Sequence, residues 1–387
     1  MSEFQDSNFK NENGGSPNLV GKTDLTSPYF FVPPSGDTAN RPTNCAPGTL
    51  RFNTDIGSLE VYRGDKIGWE QIQRREGQYL GGGVTPNLGS NSGTGTRGLS
   101  MGGQVFPADI NKIDFVTIPT LGDAQDFGDL SETRTQSGGL GSRVRGFCCG
   151  GLDSPSNYRD TIDSHEFATL GSFIDFGNLT ATARLLAAFS NSTRGVTAGG
   201  NPRNDVIDYF TMATTGNAVD FGDLPANDIF GSGLASTTRG LIKDGTDTDN
   251  SISFVTISTT GDAVDYGDLS VARGTHVQTA ANATRGIFAG GRTPSANNTI
   301  DFVTIATLGN AVDFGDLTRT SAETNAGTAN PTRAIFMGNG PSNGDTIDLI
   351  EISTAGNATD FGNLTSSRTH NCACSNGHGG LSWQILK

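Results

Sequence analysis

The side chains with the widest chemical reach fall in a few places. His370, Cys372 and Cys374 alternate, with His378 close behind. Alternation puts the first three on one face of a strand, and thiolate with imidazole is a zinc-binding combination. Equivalent positions in other repeats are small or apolar, such as Ala188 and Ser190, which favours small thiols filling an inner strand over a metal site. An aspartate follows an isoleucine at Asp114, Asp163, Asp208, Asp301 and Asp348. One such acid would be a catalytic candidate, but the recurrence points to pairing with backbone or with a repeated arginine. Asp-Phe-Gly holds magnesium in some phosphoryl-transfer enzymes, but here it recurs without the lysine or His-Arg-Asp that such chemistry needs. Arg63-Gly64-Asp65 spells an adhesion tripeptide and also suits a polar glycine turn. Gly21-Lys22-Thr23 fails as a phosphate loop, because Ser16 stands where the leading glycine is required. The histidines His165, His276, His370 and His378 are scattered. The expectation is a non-enzyme with no catalytic residues, no metal and no cofactor.

The elements that position these groups come from an internal repeat. Asp126-Phe127-Gly128-Asp129-Leu130 recurs from Asp175, Asp220, Asp265, Asp313 and Asp360, at intervals of 49, 45, 45, 48 and 47 residues. Tyr266 replaces Phe once, and a glycine precedes each Asp by four residues, from Gly122 to Gly356. Arg-Gly opens a short apolar run at Arg97, Arg145, Arg194, Arg239 and Arg285, with Arg333-Ala334 as the variant. Each unit reads as four strands, for example 275–281, 286–289, 299–305 and 311–317. A tight hairpin at Thr307–Asn310 is expected between the last two. The third strand is apolar on both faces, as in Ile300, Phe302, Val303 and Ile305, and so requires cover on both faces. Four strands per 45–50 residues, six times over, predict an all-β, six-bladed propeller spanning 79–380. A linear solenoid is the alternative, against which the hairpin signals argue. The closing strand comes either from Arg368–Ser375 or from Val84–Thr96; the Gly and Ser content of 81–95 favours the former.

Composition agrees. The chain has 387 residues, 34% of them hydrophobic and 17% charged, with 54 glycines and a net charge of −14. Such a glycine content disfavours long helices. No basic stripe marks a nucleic-acid surface, and no run of about 18 apolar residues marks a membrane span. The expectation is therefore no nucleic-acid and no membrane partner. Cys45, Cys148, Cys149, Cys372 and Cys374 are too few and too clumped for a disulfide framework, and suit assembly in a reducing cytoplasm.

The N-terminal part is different. Residues 1–35 form a polar arm with one apolar island, 28–34, followed by a hairpin module over 36–78 and, at the other end, a tail over 381–387. The module reads Arg41-Pro42, Gly48-Thr49-Leu50-Arg51-Phe52-Asn53-Thr54-Asp55, Leu59-Glu60-Val61-Tyr62 and Gly68-Trp69. In order and spacing it resembles a module of tail-fibre and other appendage proteins of tailed bacteriophages. The Gly-Gly that closes most second strands resembles kelch repeats, although the usual kelch Tyr and Trp are missing. The repeat wording also resembles virion proteins of cyanobacterial phages.

The resemblance implies a virion protein, assembled in the bacterial host cytoplasm, that acts as a tail fibre, spike or head–tail appendage. Its partners would be other virion proteins and copies of itself. A homotrimer is expected through Phe52, Leu59, Val61, Tyr62 and Trp69, because so small a sheet lacks a core of its own. The stretches between second and third strands vary most among repeats, and variable loops on a constant scaffold suit recognition. Tyr158, Arg159, Arg203, Asn204, Asp247 and Arg292 lie there and suit a host-surface glycan in host attachment. A capsid-decorating protein with no receptor role, a glycan-degrading propeller enzyme and a cellular kelch adaptor are the alternatives.

Overall fold

The structure, a computed structural model, describes residues 34–43, 45–55, 58–65, 68–71, 97–153, 157–227, 230–245, 249–292, 295–321, 326–338 and 344–381. Residues 1–33 of the arm expected over 1–35, the alternative closing segment at 84–96 and the tail beyond 381 lie outside these residues, whereas Ser35, assigned to the arm, begins a strand. The chain divides into two compact units, Met1–Arg74 and Arg75–Lys387. The described residues of both are all-β, without a helix.

In the first unit Ser35–Gly36 runs parallel to Leu50–Asn53, which pairs antiparallel with Ser58–Tyr62, which pairs in turn with Trp69–Gln71. In the second unit the repeat becomes antiparallel four-stranded sheets in simple sequential order. Sheet two is Gly138–Gly141, Arg145–Asp153, Asn157–Glu166 and Ile174–Asn178. Sheet three is Ala187–Ser190, Arg194–Ala198, Val206–Thr211 and Val219–Asp223. Sheet four is Ser232–Ala235, Arg239–Lys243, Ser251–Thr256 and Val264–Asp268. Sheet five is Gln278–Ala281, Arg285–Ala289, Asn297–Thr304 and Val312–Ser321. Sheet six is Gly327–Ala329, Arg333–Met337, Thr346–Glu351 and Thr359–Asn363. Sheet one joins distant parts of the chain. Its inner strand is Cys372–Ser375, paired with Arg97–Met101 and followed by Lys112–Thr117 and Gln125–Asp129. Each inner strand lies beside the inner strands of the sheets before and after it, with Cys372–Ser375 between those of sheets six and two. The arrangement is propeller-like.

The core lies between sheets. Each of six apolar clusters contains one third-strand isoleucine and one aromatic of the repeat, such as Ile162 with Phe176 and Ile207 with Phe221. All six isoleucines are fully buried. The outer strand presents the aromatic through a bulge: Ile162 pairs with Gly177 and Asp163 with Asp175, leaving Phe176 as the extra residue.

The glycine after the aromatic completes that bulge at positive φ, +158° at Gly177. It also abuts the next sheet, since a Cβ there would meet the Gly216 carbonyl oxygen at 2.3 Å. The expected tight hairpin at Thr307–Asn310 is not formed. That connection spans 305–311 and spends its N–H groups on the neighbouring sheet: Gly309 donates to Tyr266 O at 3.1 Å and Ala311 to Asp268 O at 2.7 Å. Asn310 Oδ1 adds a third bond by accepting from Asp268 N–H at 3.1 Å. The same staple occurs at every junction, including sheet six to sheet one, where Gly122 donates to Phe361 O at 3.0 Å and Ala124 to Asn363 O at 2.7 Å.

Two arginine sets also bridge the sheets. The Arg of the Arg-Gly marker reaches a carbonyl at the end of the next sheet's third strand, as in Arg194 to Ile257 O at 2.9 Å and Arg285 to Ile352 O at 2.8 Å. It lies over a third-strand aromatic of its own sheet, 4.5 Å from the Tyr209 ring centroid for Arg194. The third-strand aspartates take different arginines. Arg273 Nη2 donates to Asp301 at 2.6 Å and Arg368 to Asp114 at 2.7 Å, and Arg134 pairs with Asp163. A Ser or Thr just past the preceding outer strand bonds the same carboxylate, as Thr180 does Asp208 at 2.8 Å.

Paired substitutions test the glycine staple. Gly177→Ala should destabilise the protein by about 2–3 kcal/mol, because both φ and the neighbouring carbonyl oppose a Cβ. Gly216→Ala, whose Cβ would meet nothing within 4 Å, should change stability by under about 0.5 kcal/mol. Urea unfolding midpoints of the two variants give the comparison.

Candidate functional site

The inner strands enclose a narrow axial channel lined by small residues, among them Gly139, Ala188, Gly233, Thr279, Gly327 and Ala373. Its two mouths differ. One mouth is filled by the chain itself. Asn376–Leu381 continues from the closing strand into it, so Gly379 and Gly380 are required there: a Cβ would lie 2.1 Å from Asn282 O and 1.7 Å from Ser190 O, respectively. Gly379 N–H donates to Ala281 O at 2.8 Å. His378 Nε2 donates to Gly141 O at 2.6 Å, while its Nδ1 accepts from Gly380 N–H at 3.2 Å. That pairing assigns a neutral imidazole, since a second ring N–H would face the Gly380 donor. Burial pushes its pKa down to about 4, with nearby Arg143 acting in the same direction.

The other mouth is built by the connections that enter each inner strand. Gln136, Leu185, His276 and His370 stand at the same register there, and all four have left-handed backbone, with φ of 59°, 58°, 57° and 55°. Such conformations in non-glycine residues persist only where surrounding bonds impose them, and they cluster at functional sites. The bonds are present: Gln136 N–H donates to His370 O at 2.8 Å, and Leu185 N–H to Gln136 O at 2.7 Å. The His276 and His370 rings meet edge to face, 5.2 Å apart, and Phe230 lies 5.8 Å from His276. Burial, the His370 ring and Arg292 lower the His276 pKa to about 3, so its ring is neutral at physiological pH. Beside Gln136 stands Arg184, which donates to Gln136 Oε1 at 2.8 Å and lies 5.4 Å from the Tyr158 ring centroid.

The residues expected to bind ligand divide unevenly. Tyr158 and Arg159 sit not in a loop but in an extension of the second and third strands of sheet two, paired with Leu152 and Gly151. Tyr158 is 37% exposed. Arg159 is half-buried and pairs with Asp153 and with Glu132, the latter at 3.0 Å. Arg203 is corrected: its side chain is 1% exposed and pairs with Asp208 at 2.7 Å, so it supports the fold and has no face for a ligand. Sheet three lacks the arginine three residues after Thr180, where Ala183 stands, and Arg203 supplies the charge from another direction. Asn204 forms a left-handed turn residue, its N–H donating to Gly200 O at 2.8 Å. Arg292 is exposed and bonds Thr275 through its backbone. Asp247 lies outside the described residues. The sequence reading missed Arg184, Gln136 and the mouth-filling segment.

His370 and His378 lie at opposite mouths. Cys372 and Cys374 pack with Leu99, Met101, Phe127 and Phe167, and the Cys148 and Cys372 sulfurs approach to 3.8 Å. Cys149 faces a different cluster from Cys148. Among the described residues no three His, Cys, Asp or Glu side chains converge on a possible metal position.

The N-terminal sheet has its own two faces. Register places Leu50, Phe52, Leu59 and Val61 together, with Leu50 45% and Leu59 38% exposed. Tyr62 and Trp69, expected with Phe52, Leu59 and Val61 to serve oligomerisation, lie on the other face, where their rings are 5.4 Å apart. There Trp69 Nε1 donates to Pro42 O at 3.1 Å, and fully buried Glu60 accepts from Asn53 at 3.0 Å and from Arg41 at 3.2 Å. The Arg41 contact comes first among the causes that hold the Glu60 carboxyl below its ordinary pKa.

Comparison with protein-family models and with curated proteins gives no match.

The mouth-filling segment predicts an acid response. A histidine whose folded pKa lies below its unfolded value of about 6.5 stabilises the fold fully above that pH, and the contribution is lost as pH falls toward the folded value. For His378 the loss should reach about 3 kcal/mol near pH 4, and His276 adds in the same direction. Denaturant unfolding at pH 7 and pH 4.5 should show a smaller pH difference in His378→Gln than in the unaltered protein.

Proposed function

We propose that this chain is a structural and interaction protein of a tailed-bacteriophage particle, a tail fibre, spike or head–tail appendage. In this reading the N-terminal sheet attaches to virion partners and trimerises, while the repeats form a six-bladed, kelch-like β-propeller displayed for host attachment. The protein acts by binding and performs no reaction. The observation that carries the binding role is the contrast between the two mouths. The chain fills one, whereas the other gathers Tyr158, Arg184 and Phe230 beside Gln136, His276 and His370, the last three on left-handed backbone. The exposed Tyr158 ring beside the planar hydrogen-bonding groups of Arg184 and Gln136 suits the face and hydroxyls of a sugar, so a host-surface glycan is the ligand. The apolar face of Leu50, Phe52, Leu59 and Val61 supports assembly, because a sheet this small gains from covering it.

A decorating role is the second reading. Ile174, Val219, Val264 and Val312 are exposed at one register of four consecutive outer strands. An aliphatic arc of that kind also fits lateral contact with a particle.

Two measurements on the full chain separate these readings. Sedimentation velocity should give a trimer, and Phe52→Ser with Leu59→Ser should yield a monomer. Binding to host cells should be strong for the assembled form and weaker by about 10²–10⁴-fold for the monomeric variant, through lost avidity. Absence of cell binding by the assembled form at any salt concentration would leave the decorating role.

A further inference from the structure

Arg184 breaks the repeat at the mouth that carries Gln136 and His370. The residue before each left-handed position is Thr135, Thr275 and Thr369 in three of the junctions, and Arg184 in the fourth. All four make the same backbone bridge, Thr135 with Leu152, Arg184 with Asn201, Thr275 with Arg292 and Thr369 with Gln104. The scaffold therefore accepts a short threonine here, and the guanidinium is an addition it does not require.

Its partners also set it apart. Arg134, Arg159, Arg203, Arg273, Arg319 and Arg368 all stand within ion-pair distance of a carboxylate. Arg184 bonds only a neutral amide, Gln136 Oε1, and a ring, Tyr158. The nearby acids Asp153 and Glu132 are engaged by Arg159. Among the described residues Arg97, Arg194, Arg239 and Arg285 also lack an acid, but each donates to a backbone carbonyl of the next sheet, whereas Arg184 donates to a side-chain amide at the mouth. Its backbone is fixed by reciprocal bonds to Asn201, at 3.0 and 2.9 Å, and Tyr158 is fixed in a strand. Held geometry of this kind lowers the ordering cost of binding.

We propose that Arg184, Tyr158 and Gln136 form a subsite for an anionic sugar, one bearing a single carboxylate or sulfate. The guanidinium fork matches the planar or tripodal oxygens of such a group. The exposed part of the Tyr158 ring takes the apolar face of the same or the adjoining residue, and Gln136 orients the guanidinium. The overall negative charge opposes dense polyanions, so the preferred glycan carries sparse charge, about one per repeat unit. This inference rests on the glycan-binding reading above.

The test uses the full-length assembled protein and three probe oligosaccharides of equal length: a uronic-acid-containing one, a sulfated one and a neutral one. Titration calorimetry at two salt concentrations should show one of the acidic probes binding at least tenfold more tightly than the neutral one. Arg184→Gln should abolish that difference, weakening the acidic probe at least tenfold more than the neutral one, Arg184→Lys should restore part of it, and Tyr158→Ala should weaken both. Preference for the uronic acid or for the sulfate names the anion, and either supports the subsite. Equal binding of neutral and acidic probes, unaltered by Arg184→Gln, overturns the subsite and leaves glycan binding standing. No binding of any probe, together with no binding of host cells, overturns both.

Discussion

A buried carboxylate at the junction between successive sheets is the constraint around which the second unit is organised. The third strand must be apolar on both faces to fill the inter-sheet layers, yet five of its six copies carry an aspartate at the second position. Leaving such a charge without a partner would cost about 3–5 kcal/mol. Each is met by an arginine and, from the neighbouring sheet, by a Ser or Thr. The sixth copy shows that these groups belong together. Where the aspartate is Ser253, the preceding outer strand is followed by Leu224-Pro225, with no hydroxyl there, and buried Lys243 with Asp244 occupies the junction instead. A buried ion pair is weak evidence of stability, but here its geometry fixes how far one sheet may slide over the next.

The outer edge solves a second problem. An edge strand exposes N–H and C=O groups that invite pairing with other chains. The connection of the following sheet takes up Asp-aromatic-Gly-Asp at its carbonyls and amide, and the bulge turns the aromatic into the layer between sheets. One five-residue phrase thus supplies a core side chain, an edge cover and the spacing of its neighbour. Its strict repetition reflects three constraints on the same residues.

Much of this was legible in the residues. The period, the four strands per unit and the paired isoleucine and aromatic follow from spacing. The Arg-Gly arginines stood out by their recurrence, and Arg194 and Arg285 bridge successive sheets. The second arginine set was less visible because its offset drifts: Arg134, Arg273 and Arg368 stand three residues after the hydroxyl, Arg319 stands one after it, and Arg203 comes from elsewhere. Arg203 read as a ligand group for this reason, since a variable stretch holds both binding residues and displaced structural ones. Arg184 was missed because its segment looked like scaffold. Its signal was present, as a cation at a register that threonine holds at Thr135, Thr275 and Thr369. The two faces of the N-terminal sheet needed register, which alternation alone does not fix when a turn intervenes between Tyr62 and Trp69.

The pairing of Cys372–Ser375 with Arg97–Met101 has a consequence for the order of events during synthesis. Sheets two to six draw every strand from nearby sequence and can form as the chain emerges. Sheet one cannot, because its inner strand and the residues that fill the adjoining mouth are made some 270 residues after its second strand. Until then Leu99, Cys148 and the free edge of sheet six's inner strand face water, an aggregation-prone arrangement. The chain therefore has a built-in checkpoint: a product truncated before residue 372 keeps most of its sheets yet leaves the circle open, and is marked as incomplete by the surface it exposes.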